Sequence, residues 1–266
     1  MQTSFRLPTS DGPAIHGLLN TADDFSPAKK LLIVSHGFAC RLQEYMYERA
    51  VRFFNEQGYD VVRFGYYGEE PDARKLNQCD LSTHAKDLRS VTDHFVSQYQ
   101  DVFVAGHSFG GLVALMANPP GVRALTLWDS SFHPDTRFEE DDASYNATLR
   151  AFLYHSFVDI VTSPAMVNQA NSLTPAYLDS LATQIKTPAQ FLFSSDGPPC
   201  DSVGSFLNAF HAPKEMSVIP DSDHFFTLGN SADRLMAKSL MWFREHTPTR
   251  PTQTQGARPE NRPGVT

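Results

Sequence analysis

The sequence predicts an α/β protein with a doubly wound, mostly parallel sheet. Short apolar runs alternate along the chain with longer segments of helical spacing, which is the pattern of successive strand–helix–strand units. Some of these runs are apolar without interruption, as expected for strands that helices cover on both faces. With 266 residues, the chain is long enough for one large domain with a sizeable core.

The first two strands, expected at 3–7 and 14–19, flank the turn residues Thr9–Gly12 and favour an antiparallel hairpin at the N-terminus. Buried strands are then expected at 30–35, 59–64, in the run that starts at Val102, and at 124–128, 189–193 and 215–219. Helices are expected at 44–57, at 81–99 with Asp80 as its N-cap, before Pro119, at about 202–210 and at 232–246.

Residues 130–187 interrupt this alternation. The segment has no clear strand pattern, and it contains two apolar pieces of helical type near 147–161 and 175–185. We therefore expect a helical lid insertion at 130–187, with the core formed by residues 1–129 and 188–246. The end of the chain, 247–266, is rich in Pro, Thr, Gln and Arg and is expected to be disordered.

Composition narrows the functional classes. The net charge of −8 argues against nucleic acid as a partner, and no apolar run approaches the length of a membrane span. The three cysteines are far apart and lack metal-binding spacing, and no secretory signal is visible. We expect a cytoplasmic protein with no metal and no cofactor, while the oligomeric state stays open.

The motif Gly106-His107-Ser108-Phe109-Gly110 lies between an apolar run and a run of good helix formers. Gly-x-Ser-x-Gly in this context is typical of a nucleophile elbow, in which a strained turn presents the serine hydroxyl at the sheet edge. Ser108 is therefore the candidate nucleophile. The Phe109 N–H, at the start of the helix, is a candidate oxyanion donor.

A serine nucleophile needs a general base and an acid that orients it. His224 follows the strand at 215–219 and so falls at the active edge of the sheet, with His133 as the main competitor. Asp196 follows the strand at 189–193 and precedes His224, which matches the order serine, acid, histidine. Asp129, at the end of another strand, and Asp201 remain alternative acids.

The remaining candidates concern substrate binding. Gly37 allows close approach of the loop after 30–35, whose Phe38 N–H is expected to be the second oxyanion donor, while His36 braces the loop. Four aromatic side chains are candidates for an apolar substrate site, namely Phe132, Phe152, Phe157 and Phe225. Arg41 is either a contact for a substrate carboxylate or a surface residue.

Taken together, His36-Gly37-Phe38, the elbow motif, the acid after a late strand and Asp223-His224 resemble the α/β-hydrolase superfamily, from about Phe5 to His246. They are most similar to its small serine esterase and lipase branch, which includes bacterial carboxylesterases of the cinnamoyl and feruloyl esterase type. The resemblance implies an α/β-hydrolase fold and hydrolysis of a small carboxylic ester through an acyl-enzyme.

Two segments depart from that pattern. Residues 65–72 lack the Asp-x-Arg-Gly-x-Gly turn of many relatives, and the turn that carries Asp196 reads Ser-Ser-Asp-Gly in place of the usual Gly-x-x-Asp.

Other functions are compatible with these residues. A thioesterase or acyltransferase would use the same triad. An inactive ligand-binding protein on the same fold is the alternative from another class.

Overall fold

The structure, a computed structural model, describes residues 1–22, 30–130, 132, 143–155, 159–197 and 203–248. Its strands are β1 (Gln2–Pro8), β2 (Ala14–Asn20), β3 (Lys30–Ser35), β4 (Tyr59–Phe64), β5 (Asp101–His107), β6 (Val122–Trp128), β7 (Ala143–Asn146), β8 (Ala151–His155), β9 (Asp159–Thr162), β10 (Ala189–Ser194) and β11 (Lys214–Ile219). Its helices are α1 (Tyr45–Glu56), α2 (Leu81–Val96), α3 (Phe109–Ala117), α4 (Pro164–Asn171), α5 (Pro175–Gln184), α6 (Gly204–Ala209) and α7 (Ser231–Glu245), with a 3₁₀ turn at Leu76–Gln78.

The main sheet has eight strands in the order β1-β2-β4-β3-β5-β6-β10-β11. The strand β2 pairs antiparallel with β1 and with β4, whereas the other neighbouring pairs are parallel. Apolar side chains of α1 and α7 form one buried core against the sheet, and those of α2 to α6 form a second core on its other face. The predicted α/β class, the mostly parallel sheet and the N-terminal hairpin are confirmed, and the chain has the α/β-hydrolase fold.

The central strands end side by side. In the sheet register, Ser35 at the end of β3 lies beside Gly106 of β5, and His107 lies beside Trp128 at the end of β6. Leu192 of β10 lies on the other side of Trp128. Because these strands are parallel, the loops that follow them leave from one edge of the sheet, which is where ligands bind in open α/β sheets.

The insertion contains strands where the sequence predicted a helix. The strands β7, β8 and β9 form a separate antiparallel sheet, so the helix expected near 147–161 is wrong. In β9, Ile160 and Thr162 are buried while Asp159 and Val161 are exposed, an alternation with the period of two that belongs to a strand. The helix α5 agrees with the helix expected near 175–185.

The lid role of 130–187 and the disorder of the tail stay predictions, and residues 249–266 of the tail lie outside the described residues. The cytoplasmic location also stays a prediction. Within the described ranges, no helix combines the length and the apolar character needed to cross a membrane.

Helix α3 begins almost in contact with the end of β3. A Cβ atom placed on Gly110 would lie 2.2 Å from the carbonyl oxygen of Ser35 and 2.5 Å from that of His36. A Cβ atom on Gly106 would lie 2.5 Å from the Cα atom of Gly111. Side-chain carbons do not approach backbone atoms this closely, so both positions of the turn require glycine.

We expect Gly110→Ala to lower the free energy of unfolding by at least about 1–3 kcal/mol, since the methyl group fits only if backbone carbonyls move. Urea denaturation measures this loss. Gly204→Ala in α6 is the matched control, because nothing lies within 4 Å of its Cβ position. Equal urea midpoints for the two variants would contradict the close approach of α3 to β3.

Candidate active site

Ser108 lies in a strained turn between β5 and α3. Its backbone angles are φ 52° and ψ −122°, which a residue with a side chain rarely adopts. Its N–H donates to the carbonyl of Trp128 at 2.9 Å, so the turn is tied to the end of β6. The geometry expected for an elbow at Gly106–Gly110 is therefore present.

An imidazole and a carboxylate pair next to this turn. His224 follows β11, and its Nδ1 lies 2.6 Å from Oδ2 of Asp129, the residue that follows β6. The ring of His107, which precedes Ser108, has its centroid 4.8 Å from that of His224. With Nδ1–H donated to Asp129, the lone pair of a neutral His224 lies on Nε2, the nitrogen that can accept a proton.

The carboxylate of Asp129 has no exposed surface, yet it is surrounded by donors. The N–H of Ser194 donates to Oδ1 at 2.8 Å, and the Ser194 hydroxyl donates to Oδ2 at 2.9 Å. A buried carboxylate needs such partners to remain charged. Held in this way, Asp129 can orient His224 and stabilise its imidazolium form.

Asp196, the acid that the sequence favoured, is not the carboxylate that contacts His224. It is exposed on the turn after β10. The reason is geometric, because β10 ends at Ser194, which already points its donors at Asp129. On the same turn, a Cβ atom on Gly197 would lie 2.6 Å from both Asp129 carboxylate oxygens. This turn surrounds the Asp129 carboxylate, and Asp129, the alternative candidate acid, is the residue that contacts His224.

Serine hydrogen bonds join the turn after β10 to the loop that carries His224. The N–H of Ser195 donates to Ser222 Oγ at 3.1 Å, and the N–H of Ser222 donates to Ser195 Oγ at 2.9 Å. Asp223 accepts from the N–H and the hydroxyl of Thr227, both at 2.6 Å, as expected of a turn-forming aspartate. These bonds fix the backbone that carries the imidazole.

The loop after β3 fixes the direction of the Phe38 N–H. The carbonyl of Gly37, in the same peptide group, accepts from His36 Nδ1–H at 2.8 Å and from Cys40 N–H at 3.2 Å. The described peptide bonds are all trans, so the Phe38 N–H points away from that carbonyl. Phe38 and Phe109 pack with ring centroids 5.4 Å apart, and their amides remain the candidate oxyanion donors.

His36 holds this loop as a neutral residue. Burial lowers the pKa of its ring to about 4, against the opposing effect of the bond to the Gly37 carbonyl. A neutral imidazole has one N–H and one acceptor nitrogen. While Nδ1–H donates to Gly37, Nε2 accepts from the N–H of Tyr66 at 3.2 Å. The expected bracing role of His36 agrees with this geometry.

Phe132, expected to bind substrate, lies in the core. It is buried, and its ring centroid is 5.8 Å from that of Phe191 and 5.1 Å from that of Phe206. Side chains of β10 and of helix α6 therefore cover the ring. Phe132 is therefore placed to stabilise the core by apolar burial.

The other three phenylalanines differ in position. Phe225 packs against the imidazole of His224, with ring centroids 5.3 Å apart. Phe152 is half-buried on β8 and contacts Tyr145 across the strand pair, with centroids 5.4 Å apart. Phe157 lies outside the described residues, as do the alternative site residues His133 and Asp201.

An open groove of about 940 Å³ lies beside the loop after β3. Its walls are His36, residues 39–44, residues 65, 67–70 and 75–77, and residues 159–161 of β9. Charged side chains line it, namely Arg41, Glu44, Glu69, Glu70, Lys75 and Asp159. Of the residues described there, none is one of the four candidate phenylalanines, so the groove combines charged and apolar side chains without the expected aromatic ones.

Side-chain contacts hold the segment 65–77, which supplies one wall of this groove. Arg74, which is buried, contacts Asp87 of α2 at 3.0 Å and Asp11 of the hairpin turn at 2.7 Å. Asp72 contacts His16 of β2 at 2.8 Å. The segment 65–77 is therefore anchored to both α2 and the N-terminal hairpin.

Sequence reasoning did not predict that His224 contacts Asp129, and it did not predict the groove. A signal for the contact was present, because Asp129 follows its strand directly whereas Asp196 comes two residues after Ser194, the end of β10. Another signal was the unusual acid turn. For the groove, the departure of 65–72 from the turn of many relatives was the only feature noted in that segment.

Comparisons with known proteins agree with this architecture. Residues 26–128 match a sequence family described as serine aminopeptidase, S33. The chain is similar to Est1E from Butyrivibrio proteoclasticus with ferulic acid bound, at 16% identity and a TM-score of 0.75 over 91% of this chain and 98% of that one. It is also similar to the esterase domain of a Rhodothermus marinus protein, at 17% identity and a TM-score of 0.71 over 92% and 98% of the two chains.

A dienelactone hydrolase from Anabaena variabilis is similar at 15% identity, with a TM-score of 0.65 over 92% of this chain and 97% of that one. The comparison with curated proteins returns no match. Identities this low relate the folds of these proteins, not their substrates.

The pairing of His224 with Asp129 leads to a direct test. Asp129→Asn should slow the reaction of Ser108 with a fluorophosphonate probe by about 10³–10⁴-fold, because an amide favours the wrong imidazole tautomer. The rate of covalent labelling, followed by mass spectrometry, measures it. Asp196→Asn is the matched control and should label at the wild-type rate. The reverse result would assign the acid to Asp196.

Proposed function

We propose that this chain, which has the α/β-hydrolase fold, is a serine esterase that cleaves carboxylic esters through an acyl-enzyme. The observation that carries the proposal is the pairing of His224 with the buried Asp129 beside the strained turn at Ser108. A serine elbow, an imidazole and a donor-saturated carboxylate are the parts that acyl transfer requires.

In this proposal, Ser108 Oγ attacks the ester carbonyl while His224 Nε2 takes its proton. Asp129 holds Nδ1–H and stabilises the imidazolium that forms. The amides of Phe38 and Phe109 donate to the oxyanion, and His224 then returns its proton to the leaving alcohol. Water, activated by the same imidazole, attacks the acyl-enzyme and releases the acid.

The substrate side of the proposal has two parts. The 940 Å³ groove is lined by His36 and Ala39, which flank Gly37 and Phe38 in the sequence, and its charged side chains suit a polar portion of the substrate. Phe152 and Tyr145, on one face of the insertion's sheet, offer an aromatic surface for an apolar portion. The ferulic acid named with Est1E, an aromatic carboxylic acid, supports a small aromatic or acyl ester as the substrate.

The first test is Ser108→Ala. Because Ser108 supplies the attacking oxygen, its loss should lower kcat for p-nitrophenyl esters by about 10⁶-fold and abolish fluorophosphonate labelling, with the melting temperature kept. Ser180→Ala, at an exposed position on α5, is the control. Labelling of wild-type protein without ester turnover would favour a thioesterase or acyltransferase, which acyl thioesters and added alcohol acceptors would reveal. Absence of both would favour a ligand-binding protein.

A second test concerns substrate choice. Phe152→Ala should change the ratio of kcat/KM for methyl cinnamates to that for acetyl esters by about 1–3 kcal/mol, since the aromatic contact serves only the larger acyl group. Leu153→Ala is the matched control, because successive strand residues point to opposite faces of the sheet. Equal losses for every ester, in step with lower stability, would assign Phe152 to packing alone.

A further inference from the structure

A chain of buried hydrogen bonds connects the loop after β3, the elbow and the loop of His224. The N–H of Gly37 lies 3.0 Å from the hydroxyl oxygen of Tyr47, on α1. The same oxygen lies 2.9 Å from Nδ1 of His107. The other ring nitrogen of His107, Nε2, lies 3.0 Å from the backbone carbonyl oxygen of His224.

The direction of each bond follows from chemistry. The carbonyl of His224 can only accept, so Nε2 of His107 carries the hydrogen. Burial lowers the pKa of His107 to about 3, and the neighbouring His224 contributes to this shift. The ring is therefore neutral and Nδ1 is an acceptor. Tyr47 then donates to Nδ1, and its oxygen accepts from the Gly37 N–H.

This chain of hydrogen bonds ends at Gly37 and at His224, which lie beside the groups that the proposed reaction needs in fixed relative positions. At one end, Gly37 is fixed on both sides, because its N–H is held by Tyr47 and its carbonyl by His36. At the other end, His224 is also held twice, by its carbonyl and by its ring nitrogen Nδ1. Two points of attachment leave the direction of Nε2 little freedom.

We propose that Tyr47 and His107 are positioning residues that hold the Phe38 amide and the His224 imidazole in fixed positions relative to each other, on either side of the elbow. The inference rests on the proposed function, because it assigns these two groups their tasks in acyl transfer. Misplacement of reacting groups by about 1 Å can lower a rate by roughly 10²-fold. These hydrogen bonds from Gly37 through Tyr47 and His107 to the His224 carbonyl, here called the relay, act through Phe38 and His224. The relay residues take no part in the making or breaking of bonds.

The neutral state of His107 serves the same arrangement. Its ring faces His224, Tyr47 and Phe225, with ring centroids 4.8, 5.9 and 5.3 Å away. The titratable groups that act on it are Asp129 and the other two histidines, His224 and His36. A cationic His107 beside His224 would oppose the imidazolium that the reaction forms.

The decisive variant is Tyr47→Phe, which keeps the ring and removes the hydroxyl that links Gly37 to His107. It should lower kcat for p-nitrophenyl acetate by about 10–100-fold with little change in KM, and slow fluorophosphonate labelling by a similar factor. A wild-type kcat in the folded variant would overturn the proposal.

Two controls separate positioning from stability. Tyr59→Phe, in the same core as Tyr47, removes a buried hydroxyl that has no hydrogen-bond partner among the described residues. Thr126→Val removes hydrogen bonds of 3.1 Å to Gln190 and Ser239 elsewhere in the buried interior. Both should keep the wild-type kcat. If Thr126→Val and Tyr47→Phe lost kcat in proportion to melting temperature, the effect would be structural and the proposal would fail.

A spectroscopic measurement tests the relay without reference to ester cleavage. In ¹⁵N-labelled wild-type protein, His107 should be the neutral Nε2–H tautomer and should not titrate between pH 8 and pH 5. Tyr47→Phe should shift the His224 ring resonances, and Thr126→Val should not. An Nδ1–H tautomer would overturn the relay. The expected NMR result without ester turnover would contradict only the proposed function.

Discussion

A carboxylate without exposed surface must be surrounded by hydrogen-bond donors, and this requirement organises the site around Asp129. Its donors come from the end of β10 and from the loop after β11, so two loops of different strands are fixed by one charge. Serine hydrogen bonds between Ser195 and Ser222 join the same two loops a few residues away. Solvation of this charge by the protein therefore also determines where the imidazole of His224 lies.

Three histidines at this edge of the sheet have different roles because their surroundings differ. His36 and His107 are buried, and burial lowers both pKa values far enough to keep the rings neutral, with fixed donor and acceptor nitrogens. Such rings can hold backbone groups in fixed directions. His224, a third exposed, pairs with a carboxylate, which suits a group that exchanges protons. Burial and carboxylate contact thus separate bracing residues from the candidate base.

Features governed by local chemistry were predictable from the sequence, whereas features that depend on which loops meet were not. The apolar run of β3 and the glycines around Ser108 each restrict the backbone locally, so the strand and the elbow were predicted. Asp129 and Asp196 both follow buried strands at one edge of the sheet, and local sequence alone does not rank them. Which of the two aspartates contacts His224 depends on where β10 ends relative to β6. The strands of the insertion were mistaken for a helix because segments of only four or five residues are too short for their pattern to separate the two periods.

The carboxylate of Asp129 and the groups that hold it belong to different strands. The end of β10 supplies two donors from Ser194, and the turn after it supplies the close-packed Gly197, whereas the carboxylate follows β6. The side chain of Asp196 is exposed and makes none of these contacts. The placement of His224 therefore depends on the spacing between two neighbouring strands, so a change that shifts β10 relative to β6 would move the imidazole even where the loop of His224 is unaltered.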